Sequence, residues 1–173
     1  MPIYALGEQV PDIHPEAYVH PDAVIIGSVT IGPQSSVWPT AVIRGDDGHI
    51  VIGARTSIQD GTVIHTTPFT PTTVGDDCVI GHNVHLEGCT IESGSLVGSG
   101  SVVLHGAIVR TEALVGANAL VPGGTEVPSR AMALGVPCVI KEDRVDPDTM
   151  IALGAKAYVD RIPRYRDTLR RLD

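Results

Sequence analysis

The chain has 173 residues, a mass of 18.2 kDa and a net charge of −8, from 12 Lys+Arg against 20 Asp+Glu. That balance argues against a nucleic-acid or anionic-membrane binder, which needs clustered positive charge, and no apolar run approaches the roughly 20 residues of a membrane span. Aromatics are only 3%, against 19 Gly and 13 Pro, so small and regularly spaced side chains must fill the core.

Residues 1–12 read as a lead-in. Their start, MPIYALGEQV, lacks a signal-peptide pattern, and three cysteines make no disulfide framework, so the expectation is a soluble cytoplasmic protein. Over residues 13–126 an aliphatic recurs at every sixth position: Ile13, Val19, Ile25, Ile31, Val37, Ile43. The phase shifts and resumes at Ile52, Ile58, Ile64, then at Val74, Ile80, Leu86, and finally runs from Ile91 through Val97, Val103, Val109 and Val115 to Val121. Two residues before most of these lies a small side chain, such as Ala23, Ser35, Ala41, Thr56, Cys78 or Ser101. Residues two apart in a strand share a face, so each hexad sends one large and one small group inward. Gly, Asn, Asp and Pro between them supply turns.

Short strands with a fixed period of six describe a parallel β-solenoid. Three hexads make one triangular coil of about 18 residues, which gives about six coils and a prism about 29 Å tall. Residues 127–144 read as a connecting segment. Residues 145–173 read as a C-terminal helix, with Asp146 as cap, Pro147 in the first turn and a stripe of Ile151, Ala155, Tyr158, Val159 and Ile162 to pack along the prism. Pro163 should bend or interrupt it.

The period breaks three times, after Ile43, after Ile64 and after Leu86, at one corner of consecutive coils. The first two breaks are inserted loops, the second being TTPFTPTT, and the third is a deletion of one residue. Irregular loops on a rigid scaffold are where sites are usually built. Outward from the third face, Arg44, His65 and Glu87 should stack one coil apart, about 4.8 Å per step. His85 flanks Leu86 on the same face, and His105 follows Leu104 in the next coil. Gln59, Asp60 and His82 fall toward the corner between the second and third faces. Cys78 and Cys89 occupy inward positions and read as core, and Trp38 reads as packing against a neighbour or the helix.

His65, His82, His85 and Glu87 are metal-type ligands, and catalytic zinc takes three such donors and leaves one position for water. His82, at its corner, is too far from the third face to share an ion with His65 in one copy. Threefold packing of prisms would bring a neighbour's His82 there and create three sites.

The segments SVWPTAVIRGDDGHIVIGARTSIQDGTVIHT (36–66) and VGDDCVIGHNVHLEGCTI (74–91), with LVGSGSVVLHGAIV, ALVPGG and LGVPCVIK further on, resemble the γ-class carbonic anhydrase family of hexapeptide-repeat trimers. The resemblance runs along nearly all of residues 10–172. It implies a left-handed β-helix, a homotrimer, and a bound Zn2+ or another divalent ion such as Fe2+ or Co2+. It implies that His65 is a ligand and that His82 is the ligand given by the adjacent copy. Arg44 and Asp46 match an interfacial ion-pair segment, and Gln59 and Asp60 match residues that position metal-bound water and support the interface. The third ligand departs from the family's G-H-x-x-x-x-H-G-C, because GHNVHLEGC places Glu87 there and a histidine at His85. Either Glu87 ligates directly, or His85 swings in with Glu87 behind it. The implied activity is zinc-dependent hydration of CO2 to bicarbonate by metal-bound hydroxide. The alternatives are a metal- or ligand-binding trimer without that activity, or a related thioester hydrolase or acyltransferase.

Overall fold

The computed structural model describes residues 2–173 and shows a parallel, left-handed β-solenoid of about 7 turns with a C-terminal helix. The aliphatic column predicted for the third face stacks in register: Ile25 on Ile43, Ile43 on Ile64, Ile64 on Leu86 and Leu86 on Val103, all fully buried. Burying each such side chain is worth roughly 1.5–3 kcal/mol, and no aromatic is needed inside so narrow a prism.

The small inward positions do a second job. Ser35, Thr56, Thr62 and Ser101 are buried, and each hydroxyl donates to a turn carbonyl of the next coil, of Gly53, Gly75, Gly81 and Gly116, at 2.6 to 2.8 Å. The corner carbonyls left over by the strand ladders are thereby paired without water. Cys78 and Cys89 fill equivalent positions, and burial pushes both thiols up to about 12.

The repeat continues past the expected limit of residue 126. Val127 and Ala133 are both fully buried, and the strand Met132–Leu134 pairs with Leu114–Val115. The expected six coils are therefore about seven: Val127 carries the period of six one step further, and Ala133, the last inward residue of the second face, follows it with a small side chain. The segment expected only to connect, 127–144, ends in the strand Val139–Lys141, which folds back antiparallel on Met132–Leu134. At the other end Ile3 already pairs with Ile25.

The first insertion is not a loop. Val42–Ile52 is one strand of 11 residues that carries the chain round the corner, and Val24–Ile31 does the same beneath it with a register shift between Gly27 and Val29. His49, expected in a loop, stands in this strand. Gly27, at φ 78°, is required there, since a Cβ would strike the carbonyl of Gly45. The two strands join the third and first faces into a single 12-stranded sheet. The second insertion is a tight hairpin closed by a bridge between Thr67 and Thr70, with Phe69 at its exposed tip.

The C-terminal helix begins as a π-helical turn, Asp148–Ala152, and continues as Leu153–Thr168 straight through Pro163, which does not interrupt it. Asp146 does not cap backbone amides; its carboxylate accepts from the Thr149 hydroxyl at 2.8 Å. Ile151, Ala155 and Ile162 are buried, and Trp38 packs between Tyr158 and Tyr165 of the helix. No helix among the described residues is long and apolar enough to cross a membrane.

Candidate functional site

Arg44, His65 and Glu87 occupy paired register positions on three successive strands of the third face, as the period predicts. They form a connected polar network. Arg44 Nη1 donates to Asp46 Oδ2, and His65 Nε2 lies 3.1 Å from Asp46 Oδ1. His65 Nδ1 lies 3.3 Å from Glu87 Oε1, and His85 Nε2 lies 3.1 Å from Glu87 Oε2. His105 completes the group, its Nε2 3.4 Å from Glu87 Oε1. Glu87 is thus shared by three imidazoles.

This environment favours the ionised carboxylates. Hydrogen bonding to His85, above all, holds Glu87 below the usual carboxylate range against the opposing effect of burial. Burial pushes Asp46 up, but its own backbone amide, Arg44 and His65 together outweigh that and hold it low.

His82 stands apart, in the turn after the strand Val79–Ile80. Its Nδ1 is 2.9 Å from Asp60 Oδ2, both side chains are about half exposed, and its Nε2 has no partner among the described residues. Gln59, beside Asp60, is buried. The structure therefore brings Arg44, Asp46, His65, His85 and Glu87 together and leaves His82, Asp60 and Gln59 at the neighbouring corner.

The expected ligand set of His65, His82 and either His85 or Glu87 does not converge within one chain. The three donors that do converge, with atoms within 4.8 Å of one another, are Asp46, Asp47 and His65. Asp47 was not singled out from the sequence; its only signal there is adjacency to Asp46. The donor chemistry fits a divalent cation. His65 can turn Nε2 to an ion beside the two aspartates while Nδ1–H is fixed by Glu87, the usual arrangement for a ligating imidazole.

A profile of the family described as Bacterial transferase hexapeptide (six repeats) matches residues 71–105, the stretch that holds His82, His85 and Glu87. The chain is 38% identical to the carnitine operon protein CaiE of Citrobacter koseri over 170 residues, 98% of this chain and 86% of that protein. Among solved structures it is similar to the Bacillus cereus BC4754 product, described as a "putative acetyltransferase", with a TM-score of 0.92, 33% identity and coverage of 95% and 96% of the two chains. It is also similar to perosamine N-acetyltransferase of Caulobacter crescentus, solved as a variant with CoA and GDP-perosamine. There the TM-score is 0.56 and the identity 26%, over 78% of this chain and 58% of that one.

These relatives correct the activity expected from the γ-carbonic-anhydrase resemblance. They are CaiE and acetyltransferase-type proteins, which point to acyl transfer rather than to a zinc-dependent carbonate dehydratase acting on CO2.

Proposed function

Because the chain belongs to the hexapeptide-repeat family, with CaiE among its relatives, we propose that it transfers an acyl group from a CoA-type thioester to a small hydroxyl- or amine-bearing acceptor. The observation that supports this reading is the His82–Asp60 pair at 2.9 Å. Asp60 orients the ring through Nδ1, and Nε2 is left to take a proton. As the acceptor oxygen or nitrogen forms its bond to the acyl carbon, its proton passes to His82 Nε2. The carbon–sulfur bond then breaks, and the proton passes from His82 to the departing thiolate, which leaves as the thiol.

The network on the third face belongs to the same proposal. In a homotrimer the partner's His82 would stand against that face, so donor and acceptor would meet in a cleft between copies. The half-exposed Val63 beside His65 suits such a covered face. A divalent cation (zinc, ferrous iron or cobalt) would be held there by His65, Asp46 and Asp47. When bound, it supplies Lewis-acid polarisation of a carbonyl oxygen. Arg44 and Glu87 position this group of side chains by holding Asp46 and the His65 ring.

The test is thiol release from acetyl-CoA, followed with a panel of amines and alcohols. Carnitine, the compound in the name of the CaiE relatives, belongs in the panel. Acceptor-dependent release that falls by about 100-fold or more in His82→Ala is the expected result. Neither thiol release nor CoA binding with any acceptor would overturn the reading.

A further inference from the structure

At the N-terminal end of the solenoid a cleft of about 510 Å3 opens between the first coil and the last turn of the C-terminal helix. Its size lies within the roughly 300–1,000 Å3 of small-molecule sites. Ile3, Ile13, Val19 and Leu169 give it an apolar wall. Tyr18 lines it too, although that side chain is only 7% exposed and its hydroxyl is buried out of reach of the cleft.

Two lining residues present donors. Arg166 is pinned by its Nη2, which donates to the carbonyls of Glu16 at 3.1 Å and Ala17 at 3.3 Å. Its remaining guanidinium N–H groups have no protein acceptor among the described residues. His14 accepts the Glu16 amide at Nδ1 across 3.1 Å, which places its proton on Nε2. No Asp or Glu side chain lines the cleft among the described residues. The carbonyl end of the helix works weakly against an anion, but the full charge of Arg166 exceeds that partial one.

Donors without acceptors, beside an apolar wall, select a ligand with a negative head and a hydrocarbon body. We infer that this cleft binds an aliphatic monocarboxylate, its head against Arg166 and the Nε2–H of His14 and its chain along Ile13 and Leu169. Nothing in this reading depends on the acyl-transfer site, whose residues lie on the third face and the adjoining corner.

Isothermal titration of the full chain with octanoate tests it, with octanamide (same chain, no charge) and acetate (same head, no chain) as probes. Octanoate should bind saturably, and the two analogues should bind at least about tenfold more weakly. Arg166→Gln should weaken octanoate by about tenfold; because it also loses the bonds to Glu16 and Ala17, the affinities are compared at a temperature where a thermal melt shows every variant fully folded. Arg164→Gln, the same charge change on the same helix outside the cleft, should leave the affinity as it is. No saturable octanoate binding, equal binding of octanamide or acetate, or equal losses in the two arginine variants would each overturn the inference.

Discussion

His85 Nε2 and Glu87 Oε2 stand 3.1 Å apart on the outward side of one strand, His85–Glu87, with Leu86 between them turned into the core. A neighbour two residues along thus supplies the main interaction that lowers the Glu87 carboxyl. Both Glu87 and Asp46 have folded pKa values below their unfolded ones. Their contribution to stability is therefore complete above the unfolded carboxylate range of about 4 and is lost as pH falls through the lower folded values. Urea midpoints measured from neutral pH to about pH 3 should fall on the acid side, and Glu87→Gln should make that fall shallower.

Asp60→Asn keeps the shape beside His82 and removes the charge. We expect acyl transfer to drop by about 10- to 100-fold with CoA affinity unchanged. Initial rates and a CoA titration on the same preparation separate the two.

Ile64 lies between Ile43 and Leu86 in the inward column, with no exposure. Ile64→Ala should cost about 2–5 kcal/mol, because a prism held by hydrogen-bonded coils cannot collapse onto the vacancy. Chemical denaturation checks this through a lower midpoint at constant slope.

Cys78 and Cys89 are buried, with thiols pushed up to about 12, whereas Cys138 is partly exposed. In the native protein at pH 8 a disulfide reagent should titrate a single thiol, and in denaturant all three. Fast native reaction of a second thiol would show that a coil opens far below the global unfolding free energy.

Tyr18→Phe removes the unpaired hydroxyl while keeping the ring that packs against Trp38 at 5.6 Å. Without ligand the variant should be more stable, by about 1 kcal/mol. A thermal melt of both proteins decides it.

The prism, its three faces and the column of Arg44, His65 and Glu87 were legible because a period of six leaves one arrangement that buries every aliphatic. The expected limit at 126 stopped one step short of Val127, which keeps the period, and beyond it Ala133 carries too little hydrophobic signal to mark a strand. The period also made a loop of Gly45–Gly48, since polar residues and glycines look like a turn until paired with a bulged strand below. The grouping of His105 with Glu87 follows from stacking. The separation of His82 from His65 follows from the corner between them. The choice of Asp47 as a converging donor depends on how the corner strand bends, which no spacing encodes. The Tyr18 cleft was beyond reach for another reason: its walls come from opposite ends of the chain, and only the docking of the helix unites them.

The antiparallel return of Val139–Lys141 over Met132–Leu134 has an outcome beyond this one molecule. A stack of parallel strands ends in open amides and carbonyls, a template on which the next chain could continue growing into a fibre. The returning strand runs the wrong way to be extended by another parallel rung and ends in Lys141, so the second face is sealed against endless stacking at that end.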